Sequence, residues 1–285
     1  MEVELVDLLV KTLRDRGIDV DEILRTSRRN SVERGRRLAE RLAHSVLPLF
    51  IQDNRGRPDR IGSCVLVRVG SRPYAFTAGH VLKAAGSSRL FASPGPKGKL
   101  LPLPYTAAPC AAGEPGGLEC DVGVLPLHDN ALGAFAHCAF LTGNEIDEND
   151  EPDGNGILDF YFVFGYPASR TQVNVSHALR QIHQRSFQLT TSPQSADAYL
   201  RESLPQRDYL LLDFLPKRTY VAGRLVAPPR LKGASGGGVF HISRSALAGP
   251  LVAIATEHRR KSCCIVSTRI KHFLAAARQL NGNGR

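Results

Sequence analysis

The sequence of 285 residues lacks any apolar run that approaches the roughly 18 residues a membrane-spanning helix needs. Its first residues, 1–4, carry acidic side chains and no basic flank, and no small-residue cleavage site follows them. Two of the six cysteines, Cys263 and Cys264, are adjacent, which does not indicate a disulfide pair. These absences predict a cytoplasmic protein whose cysteines are free thiols.

The chain is basic but lacks the motifs of nucleic-acid-binding proteins. Lys and Arg outnumber Asp and Glu by 37 to 27, which gives a net charge of +10. Apart from a cluster at residues 28–41 the arginines are scattered, and there is no zinc finger, RNA-binding aromatic motif or phosphate-cradling glycine loop. We therefore interpret the charge as a contribution to solubility and to steering toward acidic protein partners, and we do not expect nucleic acid as a partner.

Short apolar runs bounded by Gly, Pro or charged residues recur along the chain and predict β-strands. They lie at residues 46–51, 64–69, 74–77, 122–127, 159–164, 209–213, 238–242 and 251–256. One amphipathic helix is predicted near the end of the chain by apolar residues at helical spacing: Ile270, Phe273, Leu274, Ala277 and Leu280. We therefore expect an all-β architecture followed by a C-terminal helix.

Residues 231–240 form a glycine-dense turn that presents Ser235 and leads into an apolar strand. A serine hydroxyl is a weak nucleophile at neutral pH, so it must pass its proton to a base, and the resulting oxyanion needs backbone N–H donors. Gly233 can turn its own N–H beside that of Ser235, and Gly236 leaves room for a substrate backbone. Ser235 is a candidate nucleophile, although the segment alone is also typical of a plain tight turn.

Two further segments supply the partners that such a serine needs. His80 follows the strand predicted at 74–77 across a small Ala-Gly pair, which leaves space around its ring. Asp121 stands before the apolar run 122–127, where its carboxylate can be buried and held. Each residue alone also fits an ordinary structural position. The chain order His80, Asp121, Ser235 is the order of the triad in chymotrypsin, and it differs from the orders in subtilisin and in the α/β-hydrolases.

These segments resemble motifs of the trypsin-like (chymotrypsin-fold) serine peptidases of the bacterial kind. Residues 77–80 are similar to the family's Thr-Ala-Ala/Gly-His motif, and residues 121–125 to its Asp-Ile-Ala-Leu-Leu segment. Residues 233–237 resemble its Gly-Asp/Asn-Ser-Gly-Gly motif. Residues 61–67 resemble the Gly-Ser-Gly strand before the histidine, and residues 163–167 the Gly-Tyr/Phe-Pro turn that opens the second barrel.

The resemblance implies two six-stranded β-barrels of the chymotrypsin type over residues 46–280, with barrel one at 46–142 and barrel two at 157–280. It implies that Ser235 attacks the scissile carbonyl, that His80 acts as general base and then general acid, and that Asp121 orients the imidazole. It also implies an oxyanion hole formed by the N–H groups of Gly233 and Ser235. No metal or organic cofactor is expected.

The chain departs from the family pattern at three positions. Ala234 stands where digestive members carry the aspartate that pairs with a new N-terminal ammonium, so that mode of activation is not available. Val81 stands at the family's disulfide position beside the histidine, which agrees with free thiols. Gly238 replaces the usual proline and affects the local turn shape rather than the chemistry.

Residues 1–45 are predicted to form a helical appendage, and residues 281–285 a short tail. Helices are predicted at 5–13, 19–24 and 31–44, the last with an outer face rich in arginine. One interpretation is a helical collar packed on the barrels with a solvated basic face. The alternative is a docking element for a regulatory partner.

Residues 143–156 form an acidic segment between the predicted barrels. Oxygen ligands recur there much as in a calcium-binding loop, at Glu151, Asp153, Asn155 and Asp159. The closing glutamate of such a loop is missing, because its place falls on Phe162. We favour an acidic, mobile linker, with a calcium site as the alternative.

The pocket for the residue before the scissile bond is predicted between residues 228–232 and 253–258. Arg230, Ala255 and Glu257 are the candidate substrate-binding residues, and neither wall carries the trypsin-type aspartate. Arg230 would attract an acidic side chain and Glu257 a basic one, although charged residues usually point to solvent. Because a buried unpaired charge is costly, we expect a mostly apolar pocket for a small or medium uncharged side chain.

We interpret the chain as a cytoplasmic, bacterial-type serine endopeptidase that cleaves protein or peptide substrates through an acyl-enzyme at Ser235. The alternative is a catalytically silent peptidase fold that acts as a protein-binding module. Intracellular members of the peptidase family that this chain resembles often cut one dedicated protein in a defence or signalling system. No feature of this sequence demonstrates that role. Reactivity with a fluorophosphonate probe separates enzyme from scaffold.

Overall fold

Twelve of the described strands form two antiparallel sheets of six strands each. The computed structural model describes residues 19–94, 97–105, 120–149, 160–168, 171–176, 181–214, 219–221, 224–226, 231, 233–242 and 249–282. The strands of the first half are β1 (Val46–Gln52), β2 (Pro58–Val69), β3 (Arg72–Thr77), β4 (Phe91–Ala92), β5 (Lys97–Lys99), β6 (Leu101–Pro102) and β7 (Gly123–Pro126). All except β5 form the first sheet, in the order β6-β4-β1-β2-β3-β7.

The second half of the chain supplies the second sheet. Its strands are β8 (Phe160–Gly165), β9 (Thr171–Ser176), β10 (Gln181–Gln184), β11 (Phe187–Thr191), β12 (Tyr209–Asp213), β13 (Thr219–Val221), β14 (Arg224–Val226), β15 (Gly238–Ile242), β16 (Leu251–Arg259) and β17 (Cys264–Arg269). Six of them form the sheet, in the order β11-β8-β15-β16-β17-β12. The strands β9 and β10 pair with β5, and β13 pairs with β14.

Each six-stranded sheet closes on itself. An antiparallel bridge between Tyr105 and Leu127 joins the chain after β6 to the chain after β7, and these are the two edges of the first sheet. A bridge between Pro193 and Leu212 joins the chain after β11 to β12, the two edges of the second sheet. Closure removes the unpaired edges that an open sheet would expose. The predicted all-β fold of two six-stranded barrels, with an N-terminal helix and a C-terminal helix, is confirmed.

Strand β8 is buried on both faces, because one face lines the second barrel and the other contacts the rest of the molecule. Tyr161 and Val163 belong to the apolar interior of the second barrel. Phe160, Phe162 and Phe164 point to the opposite face and belong to a core that also contains side chains of the first barrel and of both terminal helices. The period of two in a strand separates these sets. Burial of each large side chain contributes about 2 kcal/mol, which explains the run of aromatic residues.

The described residues form four α-helices, which are α1 (Val20–Leu42), α2 (Gly79–Ala85), α3 (Ala196–Glu202) and α4 (Ile270–Gly282). The prediction of two separate helices between residues 19 and 44 is wrong, since α1 is continuous. Asp19 caps its first turn by accepting a hydrogen bond from the Glu22 N–H at 2.9 Å. The hydroxyl of Ser31 donates to the Ser27 carbonyl at 2.9 Å, so this residue lies inside the helix instead of starting one. No Pro or Gly stands between the two predicted helices to end the first.

The C-terminal half of α1 is part of the hydrophobic core. Leu38, Ala39 and Leu42 are buried in the core shared with β8. Gly35 allows the close approach, because a Cβ there would lie 2.8 Å from the ring of Phe162. The helix predicted at 5–13 lies outside the described residues.

Ion pairs within α1 neutralise much of its basic outer face. Arg36 lies 3.1 Å from Glu33 and 3.3 Å from Glu40, and Arg37 lies 3.3 Å from Glu33. Because these side chains are exposed to water, such pairs contribute little to stability. Their larger effect is on the charge that the helix presents to a partner.

The C-terminal helix α4 packs against both barrels. The ring of Phe273 lies 5.6 Å from that of Phe76 in β3. The hydroxyl of Tyr74, also in β3, donates to the Asn281 side-chain oxygen at 2.5 Å. The last helix therefore ties the end of the chain to the strand that precedes His80.

The cysteines follow the prediction of free thiols in the described residues. Cys64, Cys120, Cys138, Cys263 and Cys264 form no disulfide within the described part of the chain. Burial raises the pKa of Cys64, and burial raises the pKa of Cys138 to about 11, so neither thiol is reactive at neutral pH. Among the helices described above, none combines the length and the apolar composition needed to cross a membrane.

Candidate active site

A cleft of about 490 Å³ brings together the three predicted catalytic residues. His80, Asp121 and Ser235, which are far apart in the sequence, all line it. The other described residues of the lining are Leu231, Thr256, Glu257, His258 and Arg260. The histidine and the aspartate come from the first half of the chain and the serine from the second.

His80 is the second residue of α2, directly after β3. Gly79 precedes it, and a Cβ at this position would lie 2.8 Å from the Val122 carbonyl oxygen and 3.0 Å from Asp121 Oδ1. A side chain there would push the start of α2 away from the aspartate. The glycine in the Thr-Ala-Gly-His sequence thus serves the approach of His80 to Asp121.

Asp121 binds His80 through both of its carboxylate oxygens. Oδ1 accepts the backbone N–H of His80 at 2.8 Å, and Oδ2 lies 2.6 Å from the ring Nδ1. Burial by itself raises the pKa of Asp121, but the hydrogen bonds from His80 and the charge of Lys83 outweigh burial, and the pKa lies below its usual value. The aspartate is therefore a carboxylate at neutral pH, and it fixes the imidazole with Nε2 as the remaining ring nitrogen.

Ser235 lies in a tight turn between two glycines with positive φ. Gly233 has a φ of 84° and Gly236 a φ of 86°. A Cβ on Gly236 would lie 2.0 Å from the carbonyl oxygen of Ser63, so this position admits only glycine. The Ser235 hydroxyl donates to the carbonyl of Thr256 at 3.1 Å, and within the described chain it makes no hydrogen bond with the His80 ring.

Two backbone N–H groups of the same turn lack an acceptor among the described residues. In the part of the chain that the structure describes, neither the N–H of Gly233 nor that of Ser235 has a hydrogen-bond acceptor. Between them, the N–H of Ala234 donates to the Leu231 carbonyl at 2.8 Å, and the methyl group of Ala234 packs in the apolar interior of the second barrel. Unpaired N–H groups are uncommon in a buried turn, and two of them beside a serine are the donors that an oxyanion hole requires.

Ser63 in β2 connects this turn to the first barrel. Its backbone N–H donates to the Ser235 carbonyl at 2.8 Å, and its hydroxyl donates to the Gly233 carbonyl at 3.3 Å. The same hydroxyl accepts the Tyr166 N–H at 2.9 Å, and the Ser63 carbonyl accepts the Thr77 hydroxyl at 2.7 Å. The side chain is fully buried. One residue therefore contacts both ends of the nucleophile turn and the strand that leads to His80.

A smaller cavity of about 20 Å³ opens beside Ser235. Most of its lining is apolar, contributed by Val163, Phe187, Leu231, Ala234, Ala255 and Ile265. Ser235, Thr256, Glu257 and His258 complete the described lining. A cavity of this size holds about one water or the end of a side chain.

Of the three predicted substrate-binding residues, the structure describes Ala255 and Glu257. Arg230 lies outside the described residues. Ala255 is buried, lines the small cavity and accepts the N–H of Gly236 at 2.7 Å. The side chain of Glu257 is 54% exposed and pairs with Arg259 at 3.1 Å. Because Glu257 is already paired in water, it is a weak candidate for binding a basic substrate side chain.

The acidic segment at 143–156 is only partly described. Its first residues form a short turn, and Glu148 makes two hydrogen bonds of 3.0 Å with Arg278 of α4. The N–H of Asp147 donates to the Leu251 carbonyl at 3.0 Å. The start of the segment is thus attached to the second barrel, whereas the residues of the alternative calcium loop lie outside the described residues.

Two residues of the site, Ser63 and His258, were not singled out by sequence reasoning. The Gly-Ser pattern around Ser63 predicted a strand but gave no sign that the hydroxyl bridges two loops. His258 fell within the predicted pocket wall 253–258, where no pattern distinguishes it from its neighbours. Both roles depend on contacts between distant parts of the chain.

Of the comparisons with known proteins, the comparison with solved structures gives matches. No protein-family model matches this sequence, and no curated protein matches it. Among the solved structures that match is a crystal structure described as a thermostable serine protease, AL20, from an extremophilic microorganism. The match has a TM-score of 0.48 and 14% sequence identity, and covers 83% of this chain and 94% of that chain.

Proposed function

We propose that this chain is a serine endopeptidase that forms an acyl-enzyme at Ser235. The observation that supports the proposal is the cleft that holds Ser235 together with the hydrogen-bonded pair of His80 and Asp121. An imidazole fixed by a carboxylate, next to a serine on a glycine turn, is the arrangement that acyl transfer requires. The N–H groups of Gly233 and Ser235, which have no acceptor in the part of the chain that the structure describes, support it further.

In this proposal the first step forms a bond between Ser235 Oγ and the scissile carbonyl carbon. Nδ1 of His80 is bound by Asp121, so Nε2 takes the proton of the serine hydroxyl. The electron pair of the C=O bond moves to the oxygen, where the N–H groups of Gly233 and Ser235 stabilise it. The carboxylate of Asp121 stabilises the imidazolium that forms.

The second half of the reaction restores the enzyme. His80 gives its proton to the leaving amine as the C–N bond breaks, and the acyl group remains on Ser235 as an ester. Water then attacks the ester carbon and passes a proton to His80. The acid product leaves as the proton returns to Ser235 Oγ.

One observation favours the second candidate, a catalytically silent fold that binds proteins. The Ser235 hydroxyl donates to Thr256 instead of His80. Catalysis requires this hydroxyl to rotate toward Nε2, and serine sites without substrate often have long or misaligned hydrogen bonds of this kind. A scaffold would keep the present hydrogen bond in the complex with its partner.

We extend the proposal to the compartment and the partner. The free thiols of the described cysteines support a reducing, cytoplasmic environment. The proposed substrates are proteins or peptides, including a single dedicated protein of a bacterial defence or signalling system. The outer face of α1 is the proposed contact for a regulator.

The experiment that tests the function uses an unfolded protein as substrate. The full chain should release peptides from it and should give a stoichiometric burst of product from an activated ester, because the acyl-enzyme accumulates. Ser235→Ala should do neither, while a matched variant at a buried serine outside the cleft, Ser267→Ala, should do both. A scaffold predicts no peptides and no burst from any of the three proteins.

A further inference from the structure

Two arginines are buried among the described residues, Arg60 in β2 and Arg269 in β17, and each is 7% exposed. Burial lowers the pKa of Arg60 to about 10, so its guanidinium keeps its charge at neutral pH. Burying a charge is costly, and an apolar side chain would fill the same space at a lower cost. The contacts that the Arg60 guanidinium makes therefore indicate what it does.

The guanidinium of Arg60 lies between aromatic rings of the two barrels. Its central carbon is 5.0 Å from the ring centre of Phe50 in β1 and 6.0 Å from that of Tyr166, which follows β8. Nη1 donates a hydrogen bond to the Pro167 carbonyl at 3.0 Å. A hydrogen bond from a charged donor is stronger than one between neutral groups. Arg60 thus binds residues 165–168 of the second half of the chain to a strand of the first barrel.

Residues 165–168 pack against the turn that carries the proposed nucleophile. A Cβ on Gly233 would lie 2.9 Å from the Ala168 nitrogen, and a Cβ on Gly165 would lie 3.2 Å from the Ala234 carbonyl oxygen. The backbones of the two segments are therefore in contact. Because protein interiors are closely packed, a shift of residues 165–168 would be passed on to Gly233.

We infer that Arg60 is a positioning residue of the proposed peptidase, which holds residues 166–168 so that the N–H of Gly233 points to the oxyanion. This inference rests on the proposed function. Arg60 is not among the described residues that line the cleft, so it acts through Pro167, Ala168 and Gly233 and not by touching the substrate. Catalytic donors must be held to within about 0.5 Å, and a loosened donor affects the transition state more than the bound substrate.

The test uses the full chain and the variant Arg60→Met, which keeps an unbranched stem between the two rings and removes the donors. With a peptide that the unmodified protein cleaves, kcat should fall at least about tenfold, while KM stays within about twofold. The affinity for a peptide boronic acid, whose adduct with Ser235 imitates the tetrahedral intermediate, should weaken by about the same factor. The affinity for the product peptide, in which no oxyanion forms, should not change.

Arg269→Met is the matched control. Arg269 is equally buried, and its Nε donates to the Gln206 carbonyl at 2.9 Å, but it is not among the described residues of the cleft. Both variants should lower the denaturant midpoint of unfolding, because each loses a hydrogen bond of a buried guanidinium. Under conditions where both variants are folded, only Arg60→Met should lower kcat. Equal losses of kcat would show that Arg60 acts through the stability of the fold alone.

If Arg60→Met does not fold, Arg60→Lys decides in its place. Lysine keeps the charge but lacks the planar guanidinium that lies between the two rings and reaches the Pro167 carbonyl. The kcat of Arg60→Lys should therefore still fall relative to that of Arg269→Lys, again with little change in KM.

An unchanged kcat in a folded Arg60 variant would overturn the inference, as would an equal loss of affinity for the boronic acid and the product peptide. Failure of both Arg60 variants to fold would overturn it too, because the guanidinium would then be required for the fold itself. These results leave Ser235 as the nucleophile. Failure of the peptidase proposal is distinguishable and overturns both, since the unmodified protein would then neither react with a fluorophosphonate nor bind the boronic acid.

Discussion

The backbone N–H of Ser63 donates to the carbonyl of Ser235 at 2.8 Å, so a strand of the first barrel holds the proposed nucleophile of the second. The Ser63 hydroxyl adds a contact with the Gly233 carbonyl, and the Ser63 carbonyl contacts Thr77 in the strand that leads to His80. The spacing between the serine and the histidine therefore depends on β2 as well as on the two residues themselves.

The variant Ser63→Ala should retain the fold and lose activity. It leaves the buried Gly233 carbonyl and Tyr166 N–H without the hydroxyl, which should reduce the free energy of unfolding by about 1–3 kcal/mol. The loosened turn should lower kcat by roughly ten- to a hundredfold with a smaller effect on KM, because misplaced catalytic groups mainly affect the transition state. Denaturant unfolding and steady-state kinetics measure both effects.

Ser267→Ala provides the control for Ser63→Ala. Ser267 is also fully buried, but its hydroxyl has no hydrogen-bond partner among the described residues. Its removal should change neither kcat nor stability by a comparable amount. Equal effects of the two variants would show that loss of a buried hydroxyl, and not its contact with the nucleophile turn, causes the defect.

Gly236→Ala should abolish catalysis and destabilise the protein. The methyl group would lie 2.0 Å from the Ser63 carbonyl oxygen, so the turn that carries Ser235 must move. Gly56→Ala separates this clash from backbone strain, since Gly56 also has a positive φ but a methyl group there meets nothing within 4 Å. We expect Gly56→Ala to reduce the free energy of unfolding by about 1 kcal/mol and to lower the melting temperature only slightly. The variant should keep full activity.

The contribution of Asp121 to stability should depend on pH. Its pKa is lowered in the folded protein, so the carboxylate stabilises the fold above the ordinary pKa of 3.8, and this stabilisation is lost as the pH falls through the lowered value. The melting temperature of Asp121→Asn should therefore lie below that of the unmodified protein at about pH 6, and the two should converge toward about pH 3. A difference that is constant over this range would contradict the assigned ionisation.

Activation should not require a free N-terminus. Ala234 has an apolar side chain packed in the second barrel, so it cannot accept an ion pair from a terminal ammonium. A full chain with an uncleavable N-terminal tag should react with a fluorophosphonate as fast as the untagged chain. If the protein reacted with the fluorophosphonate only after removal of the tag, the free N-terminus itself would be needed to complete the site.

Local patterns were sufficient to predict much of the fold, and they singled out His80, Asp121 and Ser235, which line one cleft. The glycine next to His80 and the two glycines around Ser235 carry steric requirements that are visible in the sequence because no other residue meets them. The eight apolar runs coincide with strands because long, buried strands need continuous apolar residues.

Features that depend on distant contacts could not be predicted in this way. The strands β4 and β6 have only two residues each, and β17 mixes Cys, Ser, Thr and Arg with two apolar residues, so none shows a clear pattern. The continuity of α1 follows from packing of its second half on β8, which joins two segments that look separate in the sequence. The bridging role of Ser63 requires both barrels to be assembled.

The most direct test of the account is to map the residue that a fluorophosphonate modifies. The unmodified protein should gain the mass of one phosphonyl group, and peptide mapping should place it on Ser235. His80→Ala should react at least about a hundredfold more slowly, because its base is lost, and Ser235→Ala should gain no mass. A protein that remains unmodified, or that carries the group on another residue, would contradict the assignment of Ser235 as the nucleophile.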